Sequence, residues 1–236
     1  MNKIGIIGGI GPASTLVYYR GIIEGYRELT GDNSYPQLYI NSINMTEMLD
    51  FVAAKNYEKL VDYLSNEINK LISIGADYVA LASNTPHLVI DKLAARSSVP
   101  LISIVDETCK YAKNMGAKKL LLTGTLFTMQ INFYKKAFEK YNIECIVPDD
   151  SDKAAIHEIV FPNLEDGLVF EKDKREFLKI CNTIIKNENV DGIILGCTEL
   201  PLLVGKDDFD IEVIDTMDVH IKSIVNKIFE SSGSGT

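Results

Sequence analysis

The 236-residue sequence contains no tryptophan, three histidines and four cysteines, and it has no long uninterrupted hydrophobic run. Its apolar opening, residues 1–9, is too short for a signal peptide or a membrane span, so we expect a cytoplasmic protein with no membrane partner. Basic residues are also scarce, because 24 Lys and Arg stand against 33 Asp and Glu, which gives a net charge of −9. Since nucleic acid is bound through a basic face, we expect no nucleic-acid partner.

The four cysteines form no CxxC pair and have no histidine at metal-ligand spacing. We therefore expect four free thiols and no bound metal. Three of them stand in segments typical of buried apolar side chains, and only the neighbours of Cys197 suggest chemistry. The opening Gly9-x-Gly11-x-x-Ser14 lacks the third glycine of a dinucleotide fingerprint, so we expect no nucleotide cofactor.

Short β-type segments alternate with longer segments of helical periodicity along the chain, which is typical of parallel βαβ units. The predicted strands are 3–7, 38–43, 78–82, 100–105, 119–122, 144–147, 192–195 and 212–214. The predicted helices include 16–29, 57–74, 131–141 and 172–185. The Gly/Ser-rich segment 231–236 is predicted to be a disordered tail.

Three segments recur in the same order in the two halves of the chain. Residues 3–8 resemble 119–124, residues 76–83 resemble 190–197, and residues 104–106 resemble 213–215. Ordered matches at a nearly constant offset indicate an internal duplication. We predict an α/β fold with two pseudo-symmetric, doubly wound parallel-sheet domains, one formed by 1–97 with 210–230 and the other by 98–209. Because ligands bind at the carboxyl ends of such strands, we expect the active site in the cleft between the domains.

Cys197 follows a predicted buried strand and precedes a predicted helix in the segment LGCTELP. Backbone N–H groups and a helix dipole at such a turn lower a thiol pKa from about 8.5, which makes cysteine a usable general base. The alternative is a buried thiol at the end of a strand with no chemical role.

The equivalent turn in the first half reads Ser83-Asn84-Thr85-Pro86-His87. Asn84 and Thr85 offer donors where a helix begins, and Pro86 suits the first helical turn, so this turn predicts a cradle for a carboxylate. The alternative is that Ser83 and Asn84 only cap the helix. The symmetry with Cys197 favours the cradle.

The segments SNTPH and GCTELPLL, together with IGIIGGIGPAST and TGTLFTMQINFY, resemble the aspartate/glutamate racemase family over residues 3–230. The resemblance implies an amino-acid racemase that forms homodimers, acts on a small-molecule amino acid and uses neither pyridoxal phosphate nor metal. In that family one cysteine removes the α-proton and a second returns a proton to the opposite face. Carried over, Cys197 is the main acid/base residue and Ser83 stands in place of the first cysteine. The other implied site residues are Gly9, Asn84, Thr85, Thr125, Thr128, Thr198 and Glu199, the last lying near Cys197.

Two departures from the family pattern leave the reaction open. A serine hydroxyl at residue 83 is a far weaker base than a thiolate, and we expect His87 to be structural rather than an assisting base. Residues 44–46 and 163–167, where aspartate racemases supply cations, contain no Lys or Arg. The alternatives are a decarboxylase or cis-trans isomerase of the same superfamily acting on a small diacid, and a non-catalytic protein that binds a small molecule.

Overall fold

The computed structural model describes residues 1–164 and 167–230, so the predicted tail at 231–236 lies outside the described residues. The chain divides into two units. The first unit comprises Met1–Ile104 and the C-terminal segment that begins at His220, and the second unit comprises Val105–Val219. Each unit contains a four-stranded parallel sheet with helices, which confirms the predicted α/β fold class.

The sheet of the first unit has the strand order β2-β1-β3-β4, and all its pairs are parallel. Its strands are β1 Ile4–Gly8, β2 Leu38–Ser42, β3 Tyr78–Leu81 and β4 Leu101–Ile102. The helices before β4 are α1 Pro12–Thr30, α2 Met45–Ala53, α3 Tyr57–Ser73 and α4 Ile90–Arg96, with a 3-10 turn at Thr85–Val89 before α4.

The core of the first unit forms where the apolar stripe of α3 packs with the central strands. Leu60, Leu64, Ile68 and Leu71 recur every three or four residues on α3, and each is at most 2% exposed. This spacing places them on one face of the helix, and they belong to one cluster with Ile7. Because β1 is buried along its whole length, its run Ile-Gly-Ile-Ile-Gly is almost continuously apolar.

The sheet of the second unit repeats the same arrangement, with the strand order β6-β5-β7-β8. Its strands are β5 Lys119–Thr123, β6 Glu144–Ile146, β7 Gly192–Leu195 and β8 Glu212–Asp215. Its helices are α5 Ile104–Asn114, α6 Leu126–Gln130, α7 Phe133–Glu139, α8 Asp150–Ile159, α9 Glu171–Glu188 and α10 Leu200–Leu203, and α11 Thr216–Phe229 follows β8. Each of the eight predicted strands overlaps an observed one. Among the described residues, no helix is both long and apolar enough to cross a membrane.

The boundaries between the units lie further along the chain than the sequence predicts. Strand β4 pairs with β3, so residues 98–104 belong to the first unit rather than the second. Strand β8 pairs with β7, so residues 210–219 belong to the second unit rather than the first. The physical reason is that the chain passes to the other unit only after each of these strands has joined its sheet, a point that no change in composition marks.

Two glycines in the middle of α1 explain how α11 joins the first unit. A Cβ added to Gly21 would lie 3.1 Å from Ile221 Cδ1, and one added to Gly25 would lie 3.1 Å from Val225 Cγ2. Glycine inside a helix costs about 1 kcal/mol relative to alanine. Here it allows α11 to pack closely against α1.

We expect Phe177→Ala to lower the free energy of unfolding by about 3–5 kcal/mol, because it leaves a cavity in the core of the second unit. Phe177 lies on α9, is fully buried and belongs to one cluster with Leu121 and Ile193. Urea unfolding followed by circular dichroism measures the loss. Phe170→Ala is the control, because Phe170 is 41% exposed and its loss should cost about 1 kcal/mol or less. Equal losses in the two variants would contradict this account of the core.

Candidate functional site

Two strand-end turns of the second unit contact each other through their backbones. The Gly196 N–H donates to the Thr123 carbonyl oxygen at 2.8 Å. A Cβ added to Gly196 would lie 2.6 Å from that oxygen, and one added to Gly124 would lie 3.0 Å from the Gly196 carbonyl oxygen. Real Cβ atoms do not approach backbone as closely as 2.6 Å, so Gly196 is required for this contact, and a side chain at Gly124 would force its neighbours to shift. The contact places the turn after β5 beside the turn after β7.

Cys197, Thr198 and Glu199 form a compact hydrogen-bonded cluster directly after β7. The Cys197 thiol donates to Glu199 Oε2 at 3.0 Å, and the Thr198 hydroxyl donates to the same oxygen at 2.8 Å. All three residues are less than 10% exposed. A buried carboxylate needs such donors, so Thr198 fixes the orientation of Glu199, and Glu199 in turn contacts the thiol.

The helix expected to start at Cys197 is short and begins later than predicted. Helix α10 starts at Leu200 and has four residues. A macrodipole is the sum of many aligned peptide dipoles, so the helix-dipole argument does not apply to Cys197. The structure instead shows the thiol bonded to the Glu199 carboxyl group.

Thr125 and Thr128 lie at the neighbouring turn. Thr125 Oγ1 accepts from the Thr128 N–H at 3.4 Å as the cap of α6, and the two hydroxyl oxygens are 3.2 Å apart. Thr128 is buried and also packs against Gly196, since a Cβ added there would meet Thr128 Cγ2 at 3.1 Å. The second unit therefore places Thr125 and Thr128 at the turn beside the one that carries Cys197.

The first unit places Ser83, Asn84 and Thr85 directly beyond β3. The helix predicted to begin here is the 3-10 turn Thr85–Val89, and the Asn84 side chain makes no capping hydrogen bond to it. Asn84 is 4% exposed, whereas Ser83 and Thr85 are half-buried. The alternative that Asn84 only caps a helix is therefore not what the structure shows.

Gly9 stands on the adjacent strand end, because β1 pairs with β3. The Gly9 N–H donates to Thr15 Oγ1 at 2.8 Å, and the Thr15 hydroxyl donates to the Gly11 carbonyl oxygen at 2.9 Å. Gly9 has a φ of +80°, and an added Cβ would lie 2.5 Å from the Ile43 carbonyl oxygen. Gly9 thus contributes backbone at the carboxyl edge of the sheet, and Thr15 holds the turn in place.

His87 is a structural residue and not an assisting base. Its Nε2 accepts from the Ile104 N–H at 3.2 Å, and its Nδ1 donates to the Ser83 carbonyl oxygen at 2.8 Å. Burial, followed by the neighbouring His220, lowers the pKa of His87 from 6.5 to about 3. Because both ring nitrogens are engaged with backbone, the Ser83 hydroxyl has no help from this imidazole.

The other three cysteines differ from Cys197 in their surroundings. All four are free and buried. Burial raises the pKa of Cys145 to about 12 and also raises the pKa of Cys109 and of Cys181 well above the usual thiol range. These three remain protonated thiols and pack as apolar side chains, as expected.

Sequence reasoning missed three residues that hold the first-unit turns, namely Thr15, Tyr18 and His220. The Thr15 hydroxyl had a local signal, because a threonine just after a glycine-rich turn often bonds to that turn. Tyr18 and His220 bond to each other at 2.8 Å across most of the chain length, so no local pattern points to the pair.

We expect His87→Gln to reduce the loss of stability on acidification. His87 has a lower pKa when folded than when unfolded, so the unfolded chain binds the proton first. Stability is therefore complete above about pH 6.5 and falls by about 1.4 kcal/mol per pH unit towards the folded pKa of about 3. Urea unfolding at pH 7, 6, 5 and 4 gives the free energy of unfolding at each pH. In the variant this free energy should fall less steeply as the pH is lowered, by the contribution of one proton. An unchanged slope in His87→Gln would contradict the burial of a neutral imidazole.

Comparison with known proteins finds relatives along nearly the whole chain. An aspartate racemase homologue from Pyrococcus horikoshii OT3 has 38% identical sequence and a TM-score of 0.87, covering 98% of this chain and 100% of its own. Picrophilus torridus aspartate racemase has 25% identity and a TM-score of 0.75, covering 97% and 94%. The broad specificity amino-acid racemase RacX of Bacillus subtilis (strain 168) is 26% identical over 228 residues, which are 94% of this chain and 96% of RacX. The family described as Asp/Glu/Hydantoin racemase matches residues 7–224. The chain therefore belongs to the Asp/Glu/Hydantoin racemase family, and the prediction of a racemase-type isomerase is confirmed.

Proposed function

We propose that the protein is an amino-acid racemase in which Cys197 transfers the α-proton of the substrate. The observation that carries this proposal is the buried thiol 3.0 Å from a carboxyl group at the carboxyl end of a central strand. A thiol beside a proton acceptor is an activated acid/base group. The homologous racemases support the reaction class.

The first step follows from the direction of the hydrogen bonds. The Cys197 proton passes to the Glu199 carboxylate, and the resulting thiolate removes the α-proton of the amino acid, which leaves a carbanion. Because the Thr198 hydroxyl donates to the same oxygen of Glu199, the carboxyl group keeps its position during the transfer. Hydroxyl groups of Thr125 and Thr128, together with Asn84 and Thr85, would bind the substrate's polar groups. The reaction needs neither pyridoxal phosphate nor metal in this proposal.

Return of a proton to the opposite face is assigned to Ser83, which has no adjacent imidazole base. A hydroxyl can donate its proton to a strongly basic carbanion, and the cycle closes when the resulting alkoxide regains a proton from water and Glu199 releases one to water. A resting hydroxyl is not ionised, however, so it removes an α-proton poorly. We therefore propose that proton removal is efficient from one enantiomer only. A homodimer and a cytoplasmic location stay predictions from the sequence.

The substrate side chain is not restricted to a carboxylate in this proposal. Residues 44–46 and 163–167 contain no Lys or Arg, and a buried carboxylate normally requires a cation or several donors. The broad specificity named for RacX supports the same view. The presence of one site thiol favours, as a second candidate, a single-cysteine enzyme acting on a diacid, which a parallel screen of malonate and maleate tests.

We expect Cys197→Ala to abolish α-proton exchange because it removes the base. Exchange in D2O is followed by NMR over a panel of L- and D-amino acids. Cys181→Ala is the matched control, since Cys181 is also a buried thiol of the second unit but lies on α9 rather than at a strand end, and it should retain exchange within about threefold.

Retained exchange in Cys197→Ala would overturn the assignment of Cys197. Activity should also survive exhaustive dialysis against a chelator in the absence of pyridoxal phosphate. Loss of activity that either cofactor restores would contradict the cofactor-independent mechanism.

We expect Ser83→Cys to raise the slower of the two exchange rates by at least about tenfold, which corresponds to ~1.4 kcal/mol of barrier. The reason is that a thiolate on the second face can act as a base, whereas the hydroxyl cannot. Exchange and racemisation are measured from each enantiomer in both proteins. If the native chain already exchanges both enantiomers equally well, the one-sided mechanism is wrong.

A further inference from the structure

Two fully buried histidines of the first unit lie beside each other, and the proposed proton transfer uses neither. The ring centroids of His87 and His220 are 6.3 Å apart, and both side chains are at most 1% exposed. Buried imidazoles are costly unless their nitrogens are satisfied, so their partners indicate what they do.

The hydrogen bonds assign one tautomer to each ring. The Ile104 N–H points at His87 Nε2, so the proton of His87 is on Nδ1, which donates to the Ser83 carbonyl oxygen. The Ile102 carbonyl oxygen lies 2.9 Å from His220 Nε2, so the proton of His220 is on Nε2. His220 Nδ1 then accepts from the Tyr18 hydroxyl at 2.8 Å. Neither ring can be protonated without losing one of these bonds.

The partners lie where the chain leaves and re-enters the first unit. Ile104 is the last residue before the chain passes to the second unit, and His220 is the first residue after it returns. His87 therefore connects the turn that contains Ser83 to the departing chain. His220 connects the same departing segment, through Ile102, to α1 at Tyr18. We call these two histidines with their four bonds the histidine brace.

The second unit has no histidine at the matching position. Leu101 and Val213 occupy equivalent positions, because Leu101 pairs with Val79 in the first sheet and Val213 pairs with Ile193 in the second. Thr108 and His220 stand the same number of residues after these positions, so Thr108 is the counterpart of His220. Tyr134, the counterpart of Tyr18, hydrogen-bonds to Thr108. The brace is thus a property of the unit that carries Ser83, rather than a general requirement of the duplicated fold.

We propose that His87 is a positioning residue for the proton transfer at Ser83. The Ile104 N–H holds His87 in the tautomer with its proton on Nδ1, and His220 supports it. By fixing the Ser83 carbonyl oxygen it fixes the backbone from which the Ser83 and Asn84 side chains project. Small displacements of a reacting group lower rates strongly, so the loss of either bond of His87 should slow the Ser83 side. The effect on catalysis rests on the proposed function, whereas the brace itself does not.

Two substitutions separate the two bonds of His87. In His87→Gln the side-chain oxygen can still accept from the Ile104 N–H, but the donor to Ser83 is lost. In His87→Asn the side-chain amide can still donate to Ser83, but the acceptor for Ile104 is lost. Ile68→Ala is the control for general destabilisation, because Ile68 lies in the first-unit core and makes no bond to the brace.

The rates are measured in the Ser83→Cys background, where exchange on that side is large enough to follow. The enantiomer whose α-proton is exchanged through residue 83 is the one whose exchange Ser83→Cys accelerates. Both His87 variants should lower its rate by about tenfold and leave the rate of the other enantiomer within about twofold. Ile68→Ala should change the two rates by the same factor. Equal losses for both enantiomers in the His87 variants would overturn the positioning role.

A second measurement tests the brace without substrate. Histidine 15N NMR of the unchanged protein should show a proton on Nδ1 of His87 and on Nε2 of His220, with no titration of the His87 ring between pH 5 and 8. Amide hydrogen exchange of Asn84 and Thr85 should rise at least about tenfold in both His87 variants and not in Ile68→Ala. The opposite tautomers, or unchanged amide exchange, would overturn the proposal. If these results hold but the unchanged protein exchanges no α-proton, the proposed function fails and the brace stands.

Discussion

The hydrogen bond from the Gly196 N–H to the Thr123 carbonyl oxygen fixes where the Cys197 turn leaves its sheet. Its counterpart in the first unit is the bond from the Ala82 N–H to the Ile7 carbonyl oxygen at 2.9 Å. Each bond extends the pairing of two central parallel strands beyond the last strand residue. Because parallel strands end at the same edge of a sheet, the residues that follow are brought together there. The site residues of each unit depend on this constraint.

The two equivalent turns have different electrostatics. The turn of the second unit combines a thiol with a buried carboxyl group, and the Thr198 hydroxyl helps to satisfy that carboxyl group. The turn of the first unit has a serine, an asparagine and a neutral imidazole whose nitrogens bond to backbone. The two sheets thus share one strand order, and the side chains that follow their central strands differ. The proposed one-sided proton transfer rests on this difference.

Much of the fold could be predicted from the sequence because parallel strands buried on both faces have to be apolar runs. The eight strands and the order of the duplicated segments were found in this way. The unit boundaries near Ile104 and His220 were not, since they depend on which sheet an edge strand joins. The start of the helix expected at Cys197 was also misplaced, since α10 begins at Leu200.

The sequence by itself determined the type of residue at each strand end, and therefore the presence of Cys197, Thr198 and Glu199 in one turn. Their mutual contacts are local, so neighbouring residues were enough to suggest them. Only the tertiary structure decided the role of His87, because its partner Ile104 and its neighbour His220 come from distant parts of the chain. Burial there keeps the imidazole neutral, and burial is a property of the packed unit that no short segment carries.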